Sequence, residues 1–229
     1  MFRNIGSWFS SFRANPLETL LQIVFMIVAL LLSLILHEIG HGFVALKCGD
    51  PTAKMMGRIT LDPRKHLDPI GMICMFFLGI GWARPVPINP YNFRHRDRDM
   101  ILVSFAGIFV NLILFLLSTF LYVLCYRGSG PVIARVQSFL MILLSYNISL
   151  AVFNLVPVPP LDGYRLVNQI FFKGSLDMNP QTMQIIHFGF LFICLSGVLS
   201  NTFSKVCNFC MLNVANLFAG WLDMGFKFV

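Results

Sequence analysis

Glutamate is almost missing from this chain. Its 229 residues hold two, Glu18 and Glu38. Charge of any kind is scarce: Asp, Glu, Lys and Arg together make up 12% of the residues, about half the share of an ordinary soluble domain. That scarcity excludes a solvated globular surface. Hydrophobic residues reach 57%, Phe alone occurs 24 times, and the mean hydropathy is +0.75. The composition is that of a multi-pass membrane protein. There is no internal repeat, no low-complexity run and no polar stretch long enough for a soluble domain. A single membrane domain over residues 1–229 is expected, with its core at 17–200 and an amphipathic tail at 201–229. No small-x-small cleavage site follows the long apolar run from Leu20, so the first span is expected to stay in the mature protein.

Acidic groups being few, the net charge is +7. Its distribution argues against a nucleic-acid partner. Nine of the 17 Lys and Arg lie between Lys47 and Arg98, in two loops that flank a short apolar segment. This is the positive-inside bias of a cytoplasmic face. It places residues 47–99 mainly on that side of the cell membrane, with the N-terminus outside and the lipid bilayer as the chain's partner. Six cysteines are present, and only Cys207 and Cys210 form a C-x-x-C pair. No second pair stands near them, which excludes a zinc knuckle. The others lie mostly in apolar runs, where Cys acts as a small hydrophobe.

Residues 1–16 place Trp8, Phe9 and Phe12 beside Arg3 and Arg13, a composition suited to the headgroup region. Leu17 to about Lys47 reads as one helix of about 45 Å, enough to cross a bilayer with tilt. Gly49-Asp50-Pro51 ends it. Pro69–Gly81 is apolar but short for a span, so a re-entrant course is open to it. RPVPINP at 84–90 has three prolines and must be extended. Long apolar helices are expected over 99–125 and 136–156, a shorter one over 161–172, a further span over 182–199, and an interfacial helix in the tail. The fold class is therefore all-α. It is a transmembrane bundle of about five to six hydrophobic segments, one or two of them short or re-entrant, with a small extended or β-like loop region.

Into the first apolar run the sequence inserts LILHEIGHGF at 34–43, although residues 23–36 carry no charge. Ionisable groups at such a depth are costly without a partner or a task. His37 and His41 are four apart on a helix, so both imidazoles leave the same face and can bind one ion. Glu38 is then placed to take a proton from a water on a zinc ion, whose field brings the water's pKa to about 7. The plain alternative is a pair of buried histidines bonded to neighbouring helices. Three ionisable groups side by side in an apolar run favour the metal.

A catalytic zinc takes three protein ligands and keeps one open position. The extended form H-E-x-x-H-x-x-G-x-x-H fails here, with Val44 and Lys47 where Gly and the third His would stand. A downstream Glu is excluded because there is none. Asp residues remain, with His66, His95 and His187. Asp162, in FNLVPVPPLDGYR at 153–165, is the best of them. It opens a helix between two apolar segments, where a carboxylate needs compensation that a cation can supply. Its ordinary reading is a helix cap. The other Asp residues lie in polar loops or near the tail.

HEIGH and NLVPVPPLDG together resemble the site-2 protease family, intramembrane zinc metalloproteases with the patterns H-E-x-x-H and N-x-x-P-x-P-x-L-D-G. SFAGIFVN at 104–111 resembles the family's third helix motif, with Ile108 where many members have Pro. GRITLDPRKHLDPIG and GWARPVPINP resemble its compact bacterial branch, which lacks a PDZ or nucleotide-binding module. The resemblance runs from about residue 20 to 172. It implies cleavage of a substrate's transmembrane helix inside the bilayer, with one Zn2+ per chain. His37, His41 and Asp162 would be its ligands and Glu38 the general base. Asn154 would lie near the ion and donate to the oxyanion, or alternatively tie two helices together. Asn111 is expected to serve interhelical packing. ARPVPIN at 83–89 and GRITL at 57–61 are candidate edges for pairing with an unwound substrate, the alternative being an irregular loop folded over the site. The zinc is expected nearer the cytoplasmic face. The expected partners are a transmembrane-helix substrate and a regulatory membrane protein of unknown identity. The competing reading is a zinc-binding membrane protein without proteolysis, such as a transporter or an inactive homologue, which would have no use for Glu38.

Overall fold

A computed structural model describes residues 12–68, 71, 83–176 and 178–225. The short apolar segment expected at 69–81 lies, apart from residue 71, outside the described residues. Helix α1 is Pro16–Cys48. The Asn15 side chain accepts the Glu18 N–H, Pro16 occupies the first turn where its missing N–H costs nothing, and Glu18 faces the positive end of the helix dipole. At the other end Gly49 takes φ 111°, a left-handed conformation that glycine adopts without steric cost. The Gly49 N–H then reaches the Leu46 carbonyl at 3.2 Å and the Asp50 N–H that of Ala45 at 2.9 Å. This pair of bonds is a Schellman closure.

Two four-residue helices follow, α2 (Thr52–Met55) and α3 (Pro63–His66). The chain then runs extended through 84–89 into a 3-10 turn at Pro90–Asn92. The next helices are α4 (Arg96–Leu124), α5 (Pro131–Asn154), α6 (Asp162–Phe172), α7 (Pro180–Leu195) and α8 (Ser200–Trp221). Among the described residues there is no β-strand, and one isolated bridge joins Leu67 to Ala83. The β-like loop region is thus an extended segment with a single bridge, and GRITL forms bends and turns rather than an edge.

Helices α1, α4 and α5 are long and apolar enough to cross a membrane. They pack against one another in an all-α bundle, with α6 laid against α4, and α8 against α4 and α5. The span expected at 182–199 is shorter, because α7 ends at Leu195 after 16 residues. Buried apolar contacts are local: Phe115, Leu144, Ile148 and Cys207 form one cluster where α4, α5 and α8 meet. Much of the outer surface is apolar, as at Leu20, Val24 and Ile27 of α1 and Phe109, Ile113 and Leu117 of α4. In water such a surface would drive aggregation; in a bilayer it meets a matching solvent.

Candidate metal centre

The polar interior of the bundle is concentrated where α1 ends, α4 begins and α5 turns into α6. His37 and His41 lie one turn apart on α1, both buried. Their rings meet edge to face at 84° with centroids 4.7 Å apart. The α5–α6 connection turns sharply through its prolines. Gly163 lets it do so, because a Cβ there would stand 2.5 Å from the Leu155 carbonyl. Leu161 occupies the cap position of α6 with no side-chain cap bond, and Asp162 is the first helical residue. The ordinary capping role is therefore not the one Asp162 fills. Its Oδ2 lies 3.2 Å from His37 Nε2 and 3.1 Å from His41 Nε2, and the two nitrogens are 3.1 Å apart. The three ligand atoms expected from the two distant motifs form a triangle.

The donor set fits a zinc ion. Two imidazole nitrogens and one carboxylate oxygen converge with all ligand atoms within 4.8 Å of one another. They are three hard-to-borderline donors, with room for one more. The His41 Nδ1–H donates to the Val103 carbonyl at 2.7 Å, which fixes the tautomer and turns the Nε2 lone pair into the triangle. Three electron-rich atoms then face one another with fewer protons than a hydrogen-bond network needs, and a cation answers that shortage. His66, His95 and His187 take no part. His66 is buried in its own loop, with Nε2 on the Thr60 carbonyl at 2.8 Å. His95 precedes α4 and donates its backbone N–H to Asp99. His187 stacks on Phe188 in α7.

Glu38 is half-buried beside the triangle. Its Oε2 accepts the Val86 N–H at 2.8 Å. The extended segment that carries Val86 is held from several sides. Arg84 N–H bonds the His66 carbonyl at 2.8 Å. Arg58, only 8% exposed, donates through Nη2 to the carbonyls of Arg84 at 2.8 Å and Pro85 at 3.2 Å. Burial pushes the Arg58 guanidinium below its usual pKa while the nearby Glu38 charge opposes that shift. At the far end of the segment the Asn89 N–H reaches Asp50 Oδ2 at 2.7 Å. Asp50 is wholly buried and also accepts from the Thr52 N–H, the Thr52 hydroxyl and Asn92 Nδ2. Burial would raise the Asp50 carboxyl, but these hydrogen bonds outweigh it and hold it below the usual carboxylate range.

Two residues of α4 complete the surroundings, and neither was expected in this role. Gly107 passes directly against the ligands, and a Cβ there would overlap both imidazoles. Gly40 makes the reciprocal approach from α1, with the Ala106 carbonyl 3.2 Å from where its Cβ would be. Asn111, expected in helix packing, does join α4 to α1, but it does so at a ligand: its side chain lies 3.1 Å from His37 Nδ1. Asn154 is half-buried at the end of α5, and its Nδ2 donates to the Leu150 carbonyl one turn back at 3.0 Å.

The sequence profile of peptidase family M50 matches residues 126–197. Over 154 residues the chain is 42% identical to the Bacillus subtilis (strain 168) protein named "Putative zinc metalloprotease YwhC", covering 66% of this chain and 70% of that one. The chain belongs to peptidase family M50. Rip2 of Mycobacterium tuberculosis (strain ATCC 25618 / H37Rv), also named a putative zinc metalloprotease, is 32% identical to this M50 chain over 162 residues, 69% of this chain and 61% of Rip2. A Rip2 from Mycolicibacterium smegmatis is 29% identical over 199 residues. No solved structure matches the chain. The matched profile region contains Asp162 but not the H-E-x-x-H stretch, so the convergence of the two halves rests on the structure.

Proposed function

We propose that this M50 protein is a zinc metalloendopeptidase that hydrolyses peptide bonds within or beside transmembrane segments of membrane-protein substrates. The observation that carries the reading is the triangle of His37 Nε2, His41 Nε2 and Asp162 Oδ2 with Glu38 alongside, in helices apolar enough to lie in a bilayer. His37, His41 and Asp162 would hold one Zn2+. When bound, the ion supplies Lewis acidity to the scissile carbonyl and lowers the pKa of a water at its open position to about 7. Glu38 is the general base. Val86 N–H holds Oε2, so the carboxylate is oriented and Oε1 takes the proton from the attacking water, then passes it to the departing amine. Asn154 Nδ2 is the proposed donor to the oxyanion, a task for which it must leave the Leu150 carbonyl.

The substrate helix must unwind before its peptide bond can be attacked. The segment 84–89 is the proposed guide, since it lies extended beside Glu38. Prolines at 85 and 87 remove two N–H groups, and Arg84, Val86 and Asn89 have theirs engaged. An incoming strand would therefore pair mainly with carbonyls. His41 is seven residues from the C-terminal end of α1, or about 10 Å along the helix. With the basic loops facing the cytoplasm, the ion would sit near that face and draw water from it.

The test is cleavage of a labelled transmembrane peptide in bilayers by the parent and Glu38→Gln, with bound zinc quantified in both. The expected result is equal zinc and a fall in kcat of about 10²- to 10⁴-fold, the usual worth of a positioned base. Equal cleavage by both removes Glu38 from the mechanism. Zinc in both and cleavage by neither, over a broad peptide panel, favours the non-proteolytic zinc-binding reading.

A further inference from the structure

We propose that Arg58 is a positioning residue for Glu38, holding the carbonyl end of the peptide unit whose N–H end grips the Glu38 carboxylate; the inference rests on the reading of Glu38 as the general base. That peptide unit joins Pro85 to Val86. Its N–H donates to Glu38 Oε2 at 2.8 Å, and its C=O accepts from Arg58 Nη2 at 3.2 Å. A peptide unit is planar, and in the trans form its N–H and C=O point opposite ways. Rotating the plane would loosen both bonds together. The same Nη2 also donates to the Arg84 carbonyl at 2.8 Å, so the preceding plane is held as well. The charges run in order: guanidinium, carbonyl oxygen, amide hydrogen, carboxylate. That order follows the dipole of the peptide unit, and each of the two charge-assisted bonds strengthens the other.

The local sequence brings Arg58 to this place. Gly57 takes φ 61°, a left-handed turn that closes α2 and sets the Arg58 N–H on the Ala53 carbonyl at 2.9 Å. On α1, Gly42 stands one turn beyond Glu38 and leaves the room in which the two pieces of chain meet. A Cβ at Gly42 would be 3.2 Å from Val86, 3.3 Å from Ala53 and 3.3 Å from Ile59. Arg58 is buried, and its Nε has no hydrogen-bond partner among the described residues. A buried guanidinium with an idle donor is a poor choice for stability, because an apolar side chain of similar size avoids the desolvation cost. What Arg58 offers and an apolar residue cannot is Nη2 on the Pro85 carbonyl. Asn89, three residues along, is gripped independently by Asp50. Loss of the Arg58 guanidinium should therefore free the Glu38 grip and leave the Asp50 grip in place.

The parent, Arg58→Met, Arg58→Lys, Glu38→Gln and the double variant Glu38→Gln/Arg58→Met would be compared as purified full chains, with bound zinc quantified in each. Met fills the volume without a donor or a charge. Two readouts apply: amide hydrogen exchange at Val86 and Asn89 by NMR, and kcat and KM on the labelled transmembrane peptide. In Arg58→Met the Val86 amide should exchange about 10-fold faster, the weight of one hydrogen bond to a charged group, with Asn89 exchange and zinc content unchanged. Its kcat should fall about 10- to 100-fold, the cost of a misplaced catalytic group, with KM within about threefold. In the Glu38→Gln background the same substitution should lower kcat by less than about threefold, because its effect passes through Glu38. Lys restores a charge and a donor without the planar fork, so Arg58→Lys should fall between the parent and Met. Unchanged exchange at Val86, faster exchange at Asn89 as well, a rise in KM with kcat unchanged, or an equal loss of kcat with and without Glu38 overturns the inference. If Arg58→Met does not fold, Arg58→Lys decides by the same exchange comparison with the parent. If the parent cuts no peptide, the protease reading fails, and faster exchange confined to Val86 still upholds the hold of Arg58 on the Glu38 grip.

Discussion

The two ends of the bundle are packed on opposite plans. At the end where α1 closes on Gly49, small residues let other groups approach closely: the Ala106 carbonyl at Gly40, both imidazoles at Gly107, the Leu155 carbonyl at Gly163. Buried polar groups fill the space that is left. At the other end, apolar side chains fill the contact between α4 and α8. Phe120 of α4 meets Phe218 and Trp221 of α8 with centroids 5.4 and 5.9 Å away, and Val123 packs on Ala215 and Ala219. One end is built to fix the positions of a few atoms, and the other only to exclude voids. A core of the second kind tolerates changes of shape that one of the first kind does not.

The contrast can be sharpened by substitutions of similar size at each end. Gly107→Ala should have the largest effect of these. Its methyl has no space, and overpacking costs about 1–3 kcal/mol. Because the strain falls on the ligands, zinc affinity should drop by about 5- to 100-fold in a chelator titration, with helix content unchanged by circular dichroism. Zinc affinity equal to the parent's would show that the imidazoles can move aside and that this end is less rigid than described.

Asp50→Asn comes next. The Asp50 carboxyl is held below its usual range in the folded state. Its contribution to stability is therefore fully present above the unfolded pKa near 3.8 and is lost as pH falls through the lower folded value. Thermal melts between pH 3 and 7 should show the Asn variant destabilised at neutral pH by about 1.5–3 kcal/mol, the range for hydrogen bonds to a charged group. The difference from the parent should shrink towards pH 3. A difference that stays constant with pH would assign the effect to packing rather than charge. The smallest effect is expected from Gly220→Ala at the far end. Nothing lies within 4 Å of a Cβ there, and Ala gains up to about 1 kcal/mol over Gly in a helix. The melting temperature should hold or rise slightly, with zinc content unmoved.

Much of the site end was legible because its chemistry is written in residue types that are expensive in an apolar run. His37, Glu38 and His41 stood out for that reason. Asp162 did so because it opened a helix between apolar segments, and the absence of a third Glu removed its main competitor. What stayed hidden is carried by groups with no such signature. Gly107 contributes only missing volume, and a glycine in an apolar helix has many uses. Val86 reaches Glu38 through a backbone N–H that every residue except proline owns. Asn111 lies 74 residues from His37, and an asparagine in a span reads equally well as a tie between helices. Helix α7 was overextended because apolar composition continues past Leu195, where the helix stops.

The Schellman closure at Gly49 makes α1 a ruler. One carboxylate, Glu38, grips the extended segment at Val86, and a second, Asp50, grips the same segment at Asn89. The two grips are twelve residues apart on a single rigid helix and its cap, so their relative phase is set by counting. Adding one residue between Cys48 and His41 would swing the Asp50 grip by about 100° around the axis, while His37, Glu38 and His41 kept their places. The segment could then satisfy one carboxylate or the other, but not both. The length of that stretch is thus under a restraint separate from its hydrophobicity: apolar residues there can be exchanged for one another, but none can be inserted or removed.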